Sequence, residues 1–201
     1  MVTLLILYPE LFACETKFLR KFEKLTSRLT QFNVVFLSDP RGYILKTASG
    51  DDRVLNVRSI TDLESEQITH AMIFDDGEEF PGVLQSLLSK GASVRQVKIA
   101  VTRVVNIKNH PELQNLKSTE IYEYIGRGSY WGNPHSMFEA GESREEVIRK
   151  YEYDFRFNKF LNIDPSRVHE LAGKRLGCFC KPALCHGDVL ANFLNSYDDG
   201  R

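Results

Sequence analysis

Val2 to Tyr8 is apolar throughout except at Thr3. Such a run predicts a strand covered on both faces. Phe18, Phe22, Leu25 and Leu29 follow at i, i+4, i+7 and i+11, the spacing of one face of a helix from about Glu15 to Leu29. Asn33 to Leu37 is a second strand, ended by Asp39-Pro40-Arg41-Gly42. Residues 43 to 69 are polar and show no clear period, with Ser49-Gly50-Asp51-Asp52 as a turn. Ala71 to Phe74 is a third strand, closed by Asp75-Asp76-Gly77. A helix over Phe80 to Ser89 turns Val83, Leu84, Leu87 and Leu88 inward and stops at Gly91. Strand and helix alternate, which implies parallel pairing and a Rossmann-like, three-layer α/β unit over residues 1–96.

The second half, 97–201, predicts a small α+β domain. Val97 to Ile107 is strand-like, Asn109 to Thr119 is a polar loop, and Tyr122 to Ile125 is a short strand. Ser143 and Glu146 form a capping box. The helix they open carries Val147, Ile148, Tyr151 and Phe155 on its apolar side. Leu176 to Cys180 is a strand and Gly187 to Leu194 a last helix, with Tyr197 to Arg201 as a frayed tail.

The formal net charge of −1 divides evenly: 11 basic and 13 acidic residues before position 97, 15 and 14 from there on. Neither part presents an excess of positive charge to a phosphate backbone, so non-specific nucleic-acid binding is not expected. A small nucleotide-like ligand needs only a few local charges. No run approaches the roughly 18 apolar residues that span a bilayer, so no membrane partner is expected. The first residues carry no positive leader and no small-residue cleavage site, and the expected compartment is the cytoplasm. In a reducing compartment, clustered cysteines point to metal or catalysis before disulfides.

Three of the four cysteines and one of the five histidines lie within nine positions, 178 to 186. On a strand, Cys178 and Cys180 face one side. Lys181 to Leu184 can turn the chain back, which places Cys185 and His186 at a helix N-terminus, where partial positive charge favours a thiolate. Three readings fit. Cys178, Cys180, Cys185 and His186 can bind zinc, although C-x-C-x₄-C-H is tighter than the usual paired knuckles. Alternatively, Cys180 or Cys185 is a nucleophile with His186 as base and Asp188 as carboxylate. Or the cysteines are small buried apolar residues, and His186 and Asp188 cap the helix.

Gly126-Arg127-Gly128-Ser129 follows a strand, and Tyr130-Trp131-Gly132-Asn133-Pro134 continues it. Here Gly126 and Gly128 would allow close backbone approach. Successive N–H groups, Ser129's included, would form an anion nest. Arg127 would grip a phosphate or carboxylate, Trp131 would stack a base, and Asn133 would read its edge. A tight turn with Trp131 in the core explains the same residues. Glu10, Asp39, Asp75 and Asp76 sit near strand ends in the first half, where α/β sheets bind ligands, and serve equally well as turn formers. His70, His110 and His169 are scattered; His135, beside the glycine loop, is the one worth following. Neither GxGxxG nor a P-loop occurs.

Val101-Thr-Arg103-Val-Val-Asn106, Tyr124 to Pro134, Ser143 to Tyr151 and Leu176 to Leu190, in that order, resemble the blocks of the family of bacterial and phage domains of unknown function 4326. The resemblance covers about residues 97 to 196. The family commonly has tryptophan where this chain has Phe179, and often phenylalanine at His135. It implies that Arg127, Ser129, Trp131, Gly132, Asn133, Cys178, Cys180, Cys185, His186 and Asp188 share one site, and it supplies no reaction. The first 96 residues carry no motif of a family that can be named and fit a unit that binds nucleotides or pairs subunits.

The function these features suggest is a nucleotide-, nucleoside- or modified-base-processing enzyme. It would be a transferase or hydrolase dependent on a metal, zinc foremost, or on a thiolate. The alternative is a non-catalytic nucleotide-sensing or protein-binding module with structural cysteines, such as a phage accessory or defence-related factor, with oligomers allowed.

Overall fold

The computed structural model describes residues 1–64, 66–137 and 141–200. It divides into two compact units, Met1–Ile99 with Tyr197–Arg201, and Ala100–Ser196.

The first unit runs β1 (Val2–Leu7), α1 (Glu15–Thr26), β2 (Phe32–Phe36), α2 (Tyr43–Ser49), β3 (Val54–Ser59), β4 (His70–Asp75), α3 (Val83–Ser89) and β5 (Ser93–Lys98). The sheet has the order β3-β2-β1-β4-β5 and every pairing is parallel. This is the doubly wound order, with β1 and β4 flanking the switch point. Alternation along β1 builds three layers. Leu4, Ile6 and Tyr8 pack with Phe18 and Phe22 of α1 and Ile44 of α2. Leu5 and Leu7 pack on the other face with Leu87 of α3. Fully burying Phe18 or Phe22 contributes roughly 1.5–3 kcal/mol each, and Phe18→Ala would cost about 3–5 kcal/mol.

The helix expected to reach Leu29 ends at Thr26. Arg53 supplies the reason: its Nη1 donates to the Thr26 carbonyl at 2.8 Å, while Asp51 holds the guanidinium through Oδ2 at 2.6 Å. The Thr26 carbonyl is shared between this side chain and the Leu29 N–H of the turn that follows, at 2.9 Å. The unreadable stretch contains α2 and the edge strand β3. The tail expected to fray is tied down instead. Asp198 and Asp199 pair with Arg20 and Lys17 of α1; Arg201 lies outside the described residues.

The second unit contains β6 (Arg103–Asn106), β7 (Tyr122–Tyr124), α4 (Arg144–Phe157), β8 (Arg175–Cys178) and α5 (His186–Ser196). Its sheet is parallel, in the order β6-β8-β7. The apolar run 97–107 is therefore two strands in different units, β5 and β6. Ser143 caps α4 as its spacing predicted, its Oγ accepting the Glu146 N–H at 3.2 Å. Trp131, Tyr151, Phe155, Leu176, Cys178, Cys185 and Leu190 meet in one core. The mixed α/β class expected from the sequence is the one observed. Among the described residues no helix is long and apolar enough to cross a membrane.

Candidate functional site

β8 is the central strand of the second sheet and delivers Cys178 at its C-terminal end. Only glycine fits before it: a Cβ on Gly177 would stand 2.2 Å from the Tyr122 hydroxyl. The chain then turns, with the Ala183 N–H donating to the Cys180 carbonyl at 3.0 Å. The Asn106 amide, at the end of β6, donates to the Lys181 carbonyl. The turn hands over to α5 through a reciprocal cap. The Cys185 N–H donates to Asp188 Oδ2 at 3.1 Å, and the Asp188 N–H donates to the Cys185 carbonyl at 2.9 Å.

This path brings the three sulfurs together. Sγ of Cys178, Cys180 and Cys185 all lie within 4.8 Å of one another. Cys178 and Cys185 are buried and Cys180 is half-buried. The Cys185 thiol donates to Cys178 Sγ at 3.3 Å, and the Cys180 N–H adds a second bond at 3.4 Å. The Cys185 bond, more than the backbone donors, draws the Cys178 thiol down to about 6. The same bond, with burial, pushes Cys185 up. At neutral pH the pair thus holds one negative charge, on Cys178.

His186 stands beside this group, with Nδ1 3.8 Å from Cys185 Sγ. Its Nε2 lies 2.9 Å from the Ile125 carbonyl. A carbonyl only accepts, so Nε2 carries the proton and Nδ1 of the neutral ring carries a lone pair. Burial draws His186 down to about 4, opposed by the Ile125 and Trp131 carbonyls. The ring is therefore neutral at physiological pH. Asp188 Oδ1 pairs with Lys181 Nζ at 2.6 Å. One ring nitrogen is thus held by a carbonyl while the other faces Cys185, and the Asp188 carboxylate is taken up by a helix cap and an ion pair.

The glycine loop folds as two successive turns. Ser129 N–H donates to the Gly126 carbonyl and Gly132 N–H to the Ser129 carbonyl, both at 3.1 Å. These N–H groups serve the loop itself, so the foreseen anion nest is not available from them. The glycines answer to packing within the loop. A Cβ on Gly126 would fall 2.2 Å from the Tyr124 hydroxyl, one on Gly132 2.7 Å from the Gly126 carbonyl, and Gly128 has φ +82°. Trp131 is 2% exposed and belongs to the core. The foreseen stacking of a base on Trp131 is corrected accordingly: neither face of the indole reaches solvent. Tyr130 is exposed, but the Arg167 guanidinium lies over its ring at 4.7 Å. Asn133 uses its amide at home, donating to the Val147 carbonyl at 3.2 Å and accepting the His135 N–H at 2.9 Å.

Arg127 stands at the open side of this loop. It is exposed, and among the described residues it has no ion-pair partner. It lines a cavity of 240 Å³ together with Arg144, Cys178, Cys180, Cys185 and His186. An adjoining cleft of 550 Å³ shares Arg127, Asn133 and His135 and adds Ser129, Asp154 and Lys159. The glycine loop and the sulfur cluster, which the family resemblance places in one site, thus line one cavity. The Ser129 hydroxyl is buried and makes no hydrogen bond among the described residues.

Arg144 and Asp154 were not singled out from sequence. Arg144 Nη1 donates to the Leu184 carbonyl at 3.3 Å, and Asp154 Oδ2 lies 2.8 Å from His135 Nε2. Both stand on α4, whose capping box was visible but whose polar face carried no motif. The weaker candidates of the first unit tie down turns and caps. Asp39 accepts the Ile44 and Leu45 N–H groups, Asp75 the Gly77 N–H, Asp76 those of Glu78 and Glu79, and the Glu10 N–H donates to Glu79. The other histidines are local as well. His70 contacts Thr69, His110 contacts Glu112, and the His169 ring lies against Phe193.

A parallel, doubly wound unit followed by a unit built around a three-thiol cavity defines a two-part α/β chain. The chain belongs to the minimal SLOG domain family over residues 1–105 and to the domain of unknown function family DUF4326 over residues 89–196. Over 72 residues it is 44% identical to the uncharacterized 12.4 kDa protein in the nrdA-td intergenic region of Enterobacteria phage T4. That stretch is 35% of this chain and 65% of the phage protein, so the chain spans just under two thirds of that relative's length. No solved structure matches the chain.

Proposed function

We propose that the chain is a nucleotide-processing enzyme whose reaction centre is the thiol cavity of its second unit. One observation carries the reading: two arginines, Arg127 and Arg144, line the same 240 Å³ space as three thiols and a neutral histidine. The arginines suit the phosphate or carboxylate of a small anionic substrate. The association of SLOG domains with nucleotide-related ligands supports the nucleotide class.

The donor set fits a thiophilic metal such as zinc. Cys178, Cys180 and Cys185 supply sulfur, and His186 Nδ1 supplies a lone pair on the side facing Cys185. A histidine whose other nitrogen donates to a backbone carbonyl has the support that ligating imidazoles usually have, and Ile125 provides it. When bound, such a metal supplies a Lewis-acid centre. The chain's own residues do the rest. Arg127 and Arg144 bind and orient the substrate anion. Cys180, the most accessible thiol, faces the substrate. Asp188 and Lys181 hold the turn that presents it. Without metal, the Cys178 anion beside the Cys185 thiol leaves Cys180 as the nucleophile.

The test pairs elemental analysis of the purified full chain with turnover of a nucleotide and nucleoside library. Metal near one per chain, and turnover lost in Arg127→Ala, are the expected results. Absence of metal, together with unchanged thiol reactivity in Cys185→Ser, would sink the reading. A second reading, a nucleotide-sensing or partner-binding module with structural cysteines, draws on the burial of Trp131 and the internal bonds of Asn133. Metal at one per chain with an inert library, and an Asp188→Asn variant that behaves like the natural chain in ligand screens, would favour it.

A further inference from the structure

The even charge of the first half conceals a local concentration. α1 places Lys17, Lys21 and Lys24 at i, i+4 and i+7, one stripe of the helix. Edge strand β5 adds Arg95 and Lys98, and these five cations line a groove of 460 Å³ with Asp199. The chain as a whole has a net charge of −1. Among the described residues, Lys21, Lys24, Arg95 and Lys98 have no acidic partner. Four unpaired cations so close together repel one another, and an anion between them relieves that repulsion.

One anion, Asp199, already lines the groove, and a second is held next to it on α1. Lys17, whose side chain is 11% exposed, donates to both oxygens of Asp199 at 3.0 and 2.9 Å. Arg20 forks onto Asp198 at 2.7 and 2.8 Å, and the Thr16 hydroxyl adds a bond at 2.7 Å. Arg20 and Thr16 together hold the Asp198 carboxyl far below its ordinary range. These are the forked, charge-assisted contacts that recognise phosphate as well as carboxylate. They use one end of the stripe only. From Lys17 to Lys24 the helix rises about 10 Å, room for more than one phosphate group. At the strand C-terminal ends, where such sheets customarily bind ligands, Asp39 takes up the start of α2.

We propose that the groove between α1 and β5 binds a short polyphosphate, free or as the triphosphate of a nucleotide. The Asp199 carboxylate of the chain's own tail competes for its Lys17 end, and Asp198, held by Arg20 and Thr16, anchors that tail beside it. The site lies in the first unit and does not depend on any activity of the thiol cavity.

Calorimetric titration of the full chain at low salt tests it, with inorganic triphosphate, ATP and a single-stranded oligonucleotide as probes and circular dichroism as the control for folding. Inorganic triphosphate should bind the Asp198→Asn/Asp199→Asn variant about tenfold more tightly than the natural chain, the worth of two modest ion pairs. Lys21→Ala/Lys24→Ala should remove binding in both backgrounds. ATP should bind about as well as the inorganic ion. Triphosphate binding that survives Lys21→Ala/Lys24→Ala overturns the proposal. So do equal affinities with and without the tail carboxylates, and binding of ATP alone. An oligonucleotide that binds where triphosphate does not assigns the groove to nucleic acid and overturns it as well.

Discussion

Replacing Cys185 by alanine should return Cys178 to ordinary thiol behaviour in metal-free protein. The reason is geometric. The Cys185 thiol, 3.3 Å away, makes the largest single contribution to lowering Cys178, while burial of Cys178 works in the opposite direction. With that donor removed, only the weaker backbone N–H bonds remain against desolvation. Drawn down to about 6, Cys178 is mostly thiolate at neutral pH, where an ordinary thiol, at 8.5 or so, is mostly protonated. Ultraviolet thiolate absorbance reads this change without any reagent having to reach a buried sulfur. The natural chain, stripped of metal, should show an early step worth one sulfur near pH 6. That step should disappear in Cys178→Ala and move above neutrality in Cys185→Ala. An unmoved step in Cys185→Ala, with the fold intact by circular dichroism, would refute the assignment of the charge to this pair.

Because Cys178 is lowered from 9.0 to about 6 on folding, its share of stability is complete above 9 and lost as pH falls through about 6; urea midpoints of metal-free protein should decline over that window, and less so in Cys178→Ala. Gly187→Val should cost about 1–3 kcal/mol and lower the thermal midpoint, since even a Cβ there meets Ile125 Cδ1 at 2.4 Å. Trp131→Ala should cost roughly 3–5 kcal/mol, because its ring is buried, whereas Trp131→Phe should keep whatever small anion the cavity binds, measured by titration; loss of that binding with the fold intact would restore the stacking role. Tyr151→Phe should cost about 1 kcal/mol by chemical denaturation, since its hydroxyl donates to the Trp131 carbonyl at 3.1 Å.

Elements with a strong internal period were visible in the sequence. The β1 run, the Phe18-Phe22 stripe and the Ser143 cap each declare themselves within a few residues. α2 escaped because only Tyr43, Ile44 and Ala48 of its seven residues are buried, too few to set a period. β3 escaped because it is an edge strand whose Leu55 is 48% exposed. The break between β5 and β6 escaped because nothing apolar is interrupted there by glycine or proline. The sulfur cluster was legible because the turn that forms it is local. Arg144 at that cavity and Asp154 at the adjoining cleft, both on α4, were not, because tertiary folding alone brings them there. The roles of Trp131 and Asn133 turned on burial and bond direction, which residue type does not encode. The SLOG membership of the first half carries no GxGxxG or P-loop by which a short-motif reading could have found it.

Ile125 welds the two halves of the cavity wall. Its N–H donates to the Gly177 carbonyl, its own carbonyl receives His186, and its side chain abuts Gly187. The arginine loop and the start of α5 therefore share one rigid fastener, and neither can swing without dragging the other. A guest that displaces the loop therefore strains the His186 bond as well. The Ile125 amide should be among the last in the chain to exchange with deuterium.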